Sequence, residues 1–216
     1  MTVNEYFDKV VFTNLPTRVD RLNDFTFQIN KLGIKAERFE DIVVGNPYKI
    51  PIKIGNNGHP ILNEGVVGGL QTLRNITKTA RDEGWKNFLM FEDDAVFVPN
   101  FTNDFSIVIQ EVPEDWCLLY LGGWNVRQPI PIVGRRHVKR VTQTYCAHAV
   151  AIKETVYSKL IEEIETWNNP GDVALSILQL EYPSYILSPK LVNQKPGWSD
   201  IWGKSVNYGT LLGDEN

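Results

Sequence analysis

The chain has 216 residues, 43% hydrophobic and 22% charged, which is ordinary globular usage and excludes a disordered, collagenous or coiled-coil protein. Its 22 basic and 26 acidic residues leave a net charge of −4, which argues against binding nucleic acid through a broad basic face. No run of about 18 apolar residues is present to span a bilayer, and the polar start Met1-Thr2-Val3-Asn4-Glu5 has no basic segment leading into an apolar one, so a cytoplasmic location is expected.

In chain order, Val10-Val11-Phe12 is a short apolar run ending at Asn14-Leu15-Pro16, a buried strand entering a turn. Leu22, Phe25, Ile29 and Leu32 recur at steps of 3, 4 and 3 and predict a helix closed by Gly33. A strand follows at Ala36 to Phe39. Residues Val44 to Asn63 lack periodicity and read as a long loop with a small hairpin around Lys49 to Ile54; loops of this length are often functional. Val66, Leu70, Leu73, Thr77 and Ala80 mark the clearest helix, closed by Gly84. Phe88-Leu89-Met90-Phe91 is an apolar strand ending directly in Glu92-Asp93-Asp94.

Further along, a helix is expected at Asn103 to Glu111 and a strand at Trp116 to Leu121, running into Gly122-Gly123. Beyond a Pro-rich crossing, strands are expected around His137 to Val141 and along Tyr145 to Ile152, then helices on Val156, Leu160, Ile164 and Trp167 and on Val173, Ile177 and Leu180. Strands alternating with helices predict an α/β sandwich around a mostly parallel sheet. Cys117 and Cys146 fall in the strand-like stretches and read as free core thiols, with no partners at ligand spacing for a thiolate metal site.

The acids ending a buried strand are the most informative local feature, because ligands of open α/β sheets bind outside the carboxyl ends of the strands. Alternation along the strand sends Glu92 and Asp94 to one side and Asp93 to the other. Two carboxylates suit Mg²⁺ or Mn²⁺ and leave positions free for a diphosphate. A solvated acidic turn is the competing reading of the same three residues.

The stretch from Phe7-Asp8-Lys9-Val10 through Asn14-Leu15-Pro16-Thr17-Arg18-Val19-Asp20-Arg21 resembles the opening of family 25 glycosyltransferases, the lipopolysaccharide and collagen-type galactosyltransferase group. Gly69-Leu70-Gln71-Thr72-Leu73-Arg74-Asn75-Ile76, followed by Phe88 to Ala95, is similar to that family's central helix and acidic motif. Leu119-Tyr120-Leu121-Gly122-Gly123 and Gln194-Lys195-Pro196-Gly197-Trp198-Ser199-Asp200-Ile201 also match in order. The resemblance implies a GT-A-like, Rossmann-type α/β/α fold. It also implies a UDP-sugar donor, galactose foremost, with Mn²⁺ or Mg²⁺ held by Glu92 and Asp94 and a glycan acceptor. On that basis one domain, 1–216, is expected, with a nucleotide-sugar half at about 1–123 and an acceptor half at about 124–216.

By the same resemblance, Asn14, Leu15 and Arg18 lie where base and ribose bind, and Thr72, Arg74 and Asp93 join the donor site. Arg18 also suits a surface pair with Asp20 or Glu40, and Arg74 a solvated helix face. Asp172 reads both as the helix N-cap and as the general base of an inverting transfer; Asp200 is the second choice for the base. His148 reads as a hydrogen-bonded core residue, and His59 and His137 as surface positions. The run Arg135 to Arg140 reads as a solvated edge strand or as a contact to an anionic acceptor. Trp124, Trp198 and Trp202 suit either sugar stacking or core packing. Peripheral membrane contact is compatible with this composition. Two other function classes compete: a metal-dependent nucleotidyl- or phosphotransferase, against which stands the lack of a Lys after Gly68-Gly69, and an inactive carbohydrate-binding protein of the same fold, against which stand the intact acidic triplet and Ser199-Asp200.

Overall fold

The computed structural model describes residues 1–54, 60–201 and 203–207. Its elements begin with α1 (Val3–Tyr6), β1 (Lys9–Thr13), α2 (Val19–Lys31), β2 (Glu37–Arg38), β3 (Lys53–Ile54), β4 (Pro60–Leu62) and α3 (Glu64–Asp82). They continue with β5 (Asn87–Glu92), β6 (Ala95–Phe97), α4 (Phe101–Val108), β7 (Leu118–Tyr120), β8 (Trp124–Asn125), β9 (Ile130–Pro131), β10 (Val138–Arg140), β11 (Thr144–Tyr145) and β12 (Ala149–Lys153). The last are α5 (Tyr157–Glu165), α6 (Gly171–Leu178), β13 (Ser184–Leu187), β14 (Val192–Gln194), β15 (Gly197–Ser199) and β16 (Lys204–Val206). Among the described residues no helix is long and apolar enough to cross a membrane.

Eight strands form the central sheet in the order β2-β1-β5-β12-β7-β13-β10-β9. β1 pairs in parallel with β2 and β5, and β13 with β7, while β12 and β10 run opposite to the other six. The sheet is therefore mostly parallel in strand direction, with two reversed strands inserted. Because both faces are covered, the strands are continuous apolar runs whose successive side chains go to opposite layers. Val10, Phe12, Leu89 and Phe91 pack against Phe25 and Ile29 of α2 and Phe101 and Phe105 of α4. Val11, Phe88, Met90, Val150 and Ile152 pack against Leu70, Leu73 and Ile76 of α3, Leu160 and Ile164 of α5 and Leu175 of α6. The result is the expected α/β/α sandwich.

Several boundaries differ from the sequence reading. The expected strand Tyr145 to Ile152 is two strands: β11 pairs with β8 outside the main sheet, β12 lies inside it, and Cys146 between them adopts φ +67°. A non-glycine residue in that left-handed region ends a strand, so neither cysteine lies in one; Cys117 directly precedes β7, and both thiols are free. The loop hairpin sits further on, with β3 against β4. The basic run is not the sheet edge: β10 is paired on both sides, and β9 forms the edge. The helix expected from Asn103 starts earlier, at Phe101, and tightens into a 3-10 turn at Ile109–Glu111. Trp167 lies past the end of α5 at φ +53°.

Candidate active site

Parallel pairing of β1 with β5 sets Thr13 beside Glu92, so the next residues, Asn14 and Asp93, leave the sheet together. Asn14 Nδ2 donates to Asp93 Oδ2 at 2.7 Å and to the Arg18 carbonyl at 3.0 Å. Arg21, in the first turn of α2, donates from Nη1 to Asp93 Oδ1 at 2.9 Å and to Asp94 Oδ2 at 3.4 Å, and from Nη2 to the Trp198 carbonyl. Pairing of β14 with β6 sets Gln194 opposite Ala95, and Gln194 Nε2 donates to Asp94 Oδ2 at 3.1 Å. Asp93 and Asp94 form a turn after β5 rather than continuing its alternation, which is why one guanidinium reaches both.

Asp172 approaches from the other layer. Pro170, not Asp172, holds the N-cap position of α6; Asp172 is the second helical residue. Its Oδ2 accepts from the Cys146 backbone N–H at 3.2 Å and its Oδ1 from that of Val173 at 2.9 Å, so the carboxylate ties α6 to the kink between β11 and β12. The same kink brings the His148 carbonyl to the Glu92 N–H at 3.1 Å.

Four carboxylates thus share one region, and the Arg21 guanidinium touches two of them, Asp93 and Asp94. Burial, followed by the charges of Asp94, Asp93 and Asp172, pushes the Glu92 carboxyl up to about 8. Burial also raises Asp94, Asp93 and Asp172, against which the donors from Gln194, from Asn14 and Arg21, and from the Cys146 and Val173 amides act. Asp94 Oδ1 is buried with no hydrogen-bond partner. An excess of negative charge together with an unused carboxylate oxygen fits a divalent cation on Asp94 and Glu92. Among the described residues no group of three or more His, Cys, Asp or Glu is placed to hold a metal ion.

Arg18 grips Asp20 with Nε and Nη2, both at 3.0 Å, and pairs through Nη1 with Asp200 in the β15–β16 turn, so Asp200 is committed to Arg18 rather than to the acidic cluster. The Leu15 carbonyl accepts from Arg18 N–H at 2.9 Å and closes the turn after β1. Thr72 and Arg74 stand apart. Thr72 Oγ1 accepts from Val43 N–H at 2.9 Å and pins the preceding loop to α3, and Arg74 pairs with Glu165 on α5 at 2.6 Å. His148 is buried, with Nε2 3.4 Å from the Val192 carbonyl, and burial lowers its pKa to about 4. His137 is half-buried against Glu111, Trp124 is edge-on to Tyr145, and Trp198 is exposed. His59 and Trp202 lie outside the described residues.

Arg21 and Gln194 stand inside the motifs quoted above, but the sequence assigned neither a role. A signal existed for Arg21: a basic residue in the first turn of a helix opposes the helix dipole, which points to a tertiary partner. Gln194 carries no local signal.

An α/β/α sandwich with clustered carboxylates at the end of a central strand belongs to the class whose ligands sit at the carboxyl edge of the sheet. No protein-family profile and no curated protein matches this sequence. Among solved structures, the chain is similar to a glycosyltransferase involved in glycosylation of the major capsid of PBCV-1, at 8% identity and TM-score 0.39 over 74% of this chain and 66% of that one. It is also similar to a Drosophila beta-1,4-galactosyltransferase 7 mutant in complex with manganese, UDP-Gal and xylobiose, at 8% identity and TM-score 0.40 over 96% and 74%. A third is mannose-1-phosphate geranyltransferase from Thermus thermophilus, at 7% identity and TM-score 0.41 over 83% and 72%. The chain spans about two thirds to three quarters of the length of these three proteins. At these scores the overlap is loose, and the functional reading rests on the chain's own residues.

Proposed function

We propose that this chain is a metal-dependent glycosyltransferase of the family 25 type, moving a hexose, galactose foremost, from a UDP-sugar to a saccharide hydroxyl with inversion. The observation that carries the reading is the partnerless Asp94 Oδ1 beside Glu92, in a cluster whose negative charge Arg21 alone does not balance. Asp94 and Glu92 would hold Mn²⁺ or Mg²⁺, which as a Lewis acid neutralises the charge developing on a leaving diphosphate. Asn14 and Arg21 fix Asp93, which keeps the acidic turn in one conformation before substrate arrives. Leu15 and Arg18 shape the turn beyond β1 where base and ribose are assigned by the sequence resemblance.

Asp172 is the first choice for the base. Two backbone N–H groups orient its carboxylate, and burial raises its proton affinity above that of an ordinary aspartate. Asp200, held by Arg18, is the second. The test is release of UDP from UDP-galactose with Mn²⁺ across a panel of saccharide acceptors. Acceptor-dependent release supports the reading. Formation of a nucleotide-sugar and pyrophosphate from a nucleoside triphosphate and a sugar phosphate, without such release, would replace it by nucleotidyl transfer.

A further inference from the structure

Charge is segregated along this acidic chain. From Trp116 to Lys153 there is no Asp or Glu, yet six of the 22 basic residues fall there, while all 26 acidic residues lie elsewhere. Five of the six, Arg127, Arg135, Arg136, Lys139 and Arg140, surround the β9–β10 hairpin at the sheet edge, five strand positions from β5. Among the described residues none of the five makes an ion pair within 4.0 Å. The nearby acid, Glu111, is occupied by the backbone N–H groups of Arg136 and His137 and by the His137 ring.

The same hairpin exposes apolar side chains. Val133 stands fully exposed at the tip, beside Gly134 in the left-handed conformation, and Ile130 is 51% exposed on the edge strand. A bare β edge can attract another strand, but Pro131 has no N–H to offer one. A soluble phosphorylated glycan would meet the guanidinium groups and leave Val133 and Ile130 in water. An anionic bilayer satisfies both, since apolar tips enter the headgroup layer while arginine and lysine stems lie along it with their charges on lipid phosphates.

We propose that the β9–β10 hairpin is a docking surface for anionic membranes, with Val133 and Ile130 entering the interface and Arg127, Arg135, Arg136, Lys139 and Arg140 binding phosphate headgroups.

The experiment is co-sedimentation of the full chain with phosphatidylcholine vesicles, with and without phosphatidylglycerol. Binding is expected only to the anionic vesicles and should weaken as salt is raised. Arg135→Gln/Arg136→Gln should weaken it by roughly 5-fold per cation removed. Val133→Ser should weaken it several-fold with the charge unchanged. All these side chains are exposed, and equal melting temperatures would verify that the variants fold. Failure of the wild-type chain to pellet with anionic vesicles would overturn the proposal, as would pelleting that neither variant alters. Heparin binding that needs the arginines, combined with vesicle binding indifferent to Val133→Ser, would assign the patch to a soluble polyanion instead.

Discussion

Arg21 is the residue on which the acidic turn depends. Its guanidinium touches two carboxylates that are only 9% and 11% exposed at the side chain, so deleting it leaves both charges confined without a counter-ion. Arg21→Met should cost about 3 kcal/mol, the scale of breaking a largely buried pair. Urea unfolding measures it, and excess Mn²⁺ should restore part of the loss. No loss would mean that the pair is absent in solution. His148 gives a second expectation, in pH. Its folded pKa of about 4 lies below the ordinary 6.5, so the unfolded chain binds its proton first. The stability tied to neutral His148 is whole above about 6.5 and is lost as pH falls towards 4, by about 3 kcal/mol in all. Glu92 acts oppositely: its raised carboxyl pKa costs stability as pH rises from 4.5 through about 8. The difference in pH dependence between wild type and His148→Gln isolates the histidine; parallel profiles would contradict its burial as a neutral ring. At this scale the placement of Glu92 and Asp94 at the end of a buried strand was legible, because acids closing an apolar run are a local pattern. The roles of Gln194 and of the partners of Asp172 were not, because each depends on segments distant in sequence; for Arg21 the helix position gave a signal but not the partner.

At the scale of elements, the helices were legible where apolar residues recur at three and four, as in α2, α3 and α5. The break at Cys146 was not, because neither Gly nor Asn marks the left-handed residue; the bond from its N–H to Asp172 crosses 26 positions of chain. Asp172 does not cap α6 because it is the second helical residue, after Pro170 in the cap position; one oxygen serves Val173 of the helix and the other the Cys146 kink. The consequence is testable. Asp172→Asn keeps an oxygen for one backbone donor and leaves the other unpaired, so stability should fall by about 1–3 kcal/mol, with UDP affinity close to wild type and transfer lower by roughly 10²–10⁴-fold if this group takes the acceptor proton. Sugar transfer measured beside melting temperature decides it. A well-folded, fully active Asp172→Asn would move the role to Asp200, whose pairing with Arg18 would then have to open.

For the whole molecule, the alternation of strands and helices was enough to anticipate a sandwich with a mostly parallel sheet, and the sheet is one. It was not enough to place β12 and β10 as reversed strands, because a strand buried on both faces shows the same apolar run whichever way it points. β12 matters to the site, since its antiparallel entry beside β5 carries the Cys146–His148 kink to Glu92. Five segments far apart in the chain therefore meet at one sheet end: the turn after β1, the turn after β5, the kink before β12, the start of α6 and the stretch from β14 to β15. The central claim is that Asp94 and Glu92 at this junction hold a cation that in turn holds a nucleoside diphosphate. Calorimetric titration of UDP in the presence of Mn²⁺ tests it most directly, with wild type, Asp94→Ala and a chelator control. The account predicts binding that requires Mn²⁺, is lost in Asp94→Ala and is weaker for GDP and CMP. UDP binding of equal strength in Asp94→Ala, or in the presence of the chelator, would contradict it.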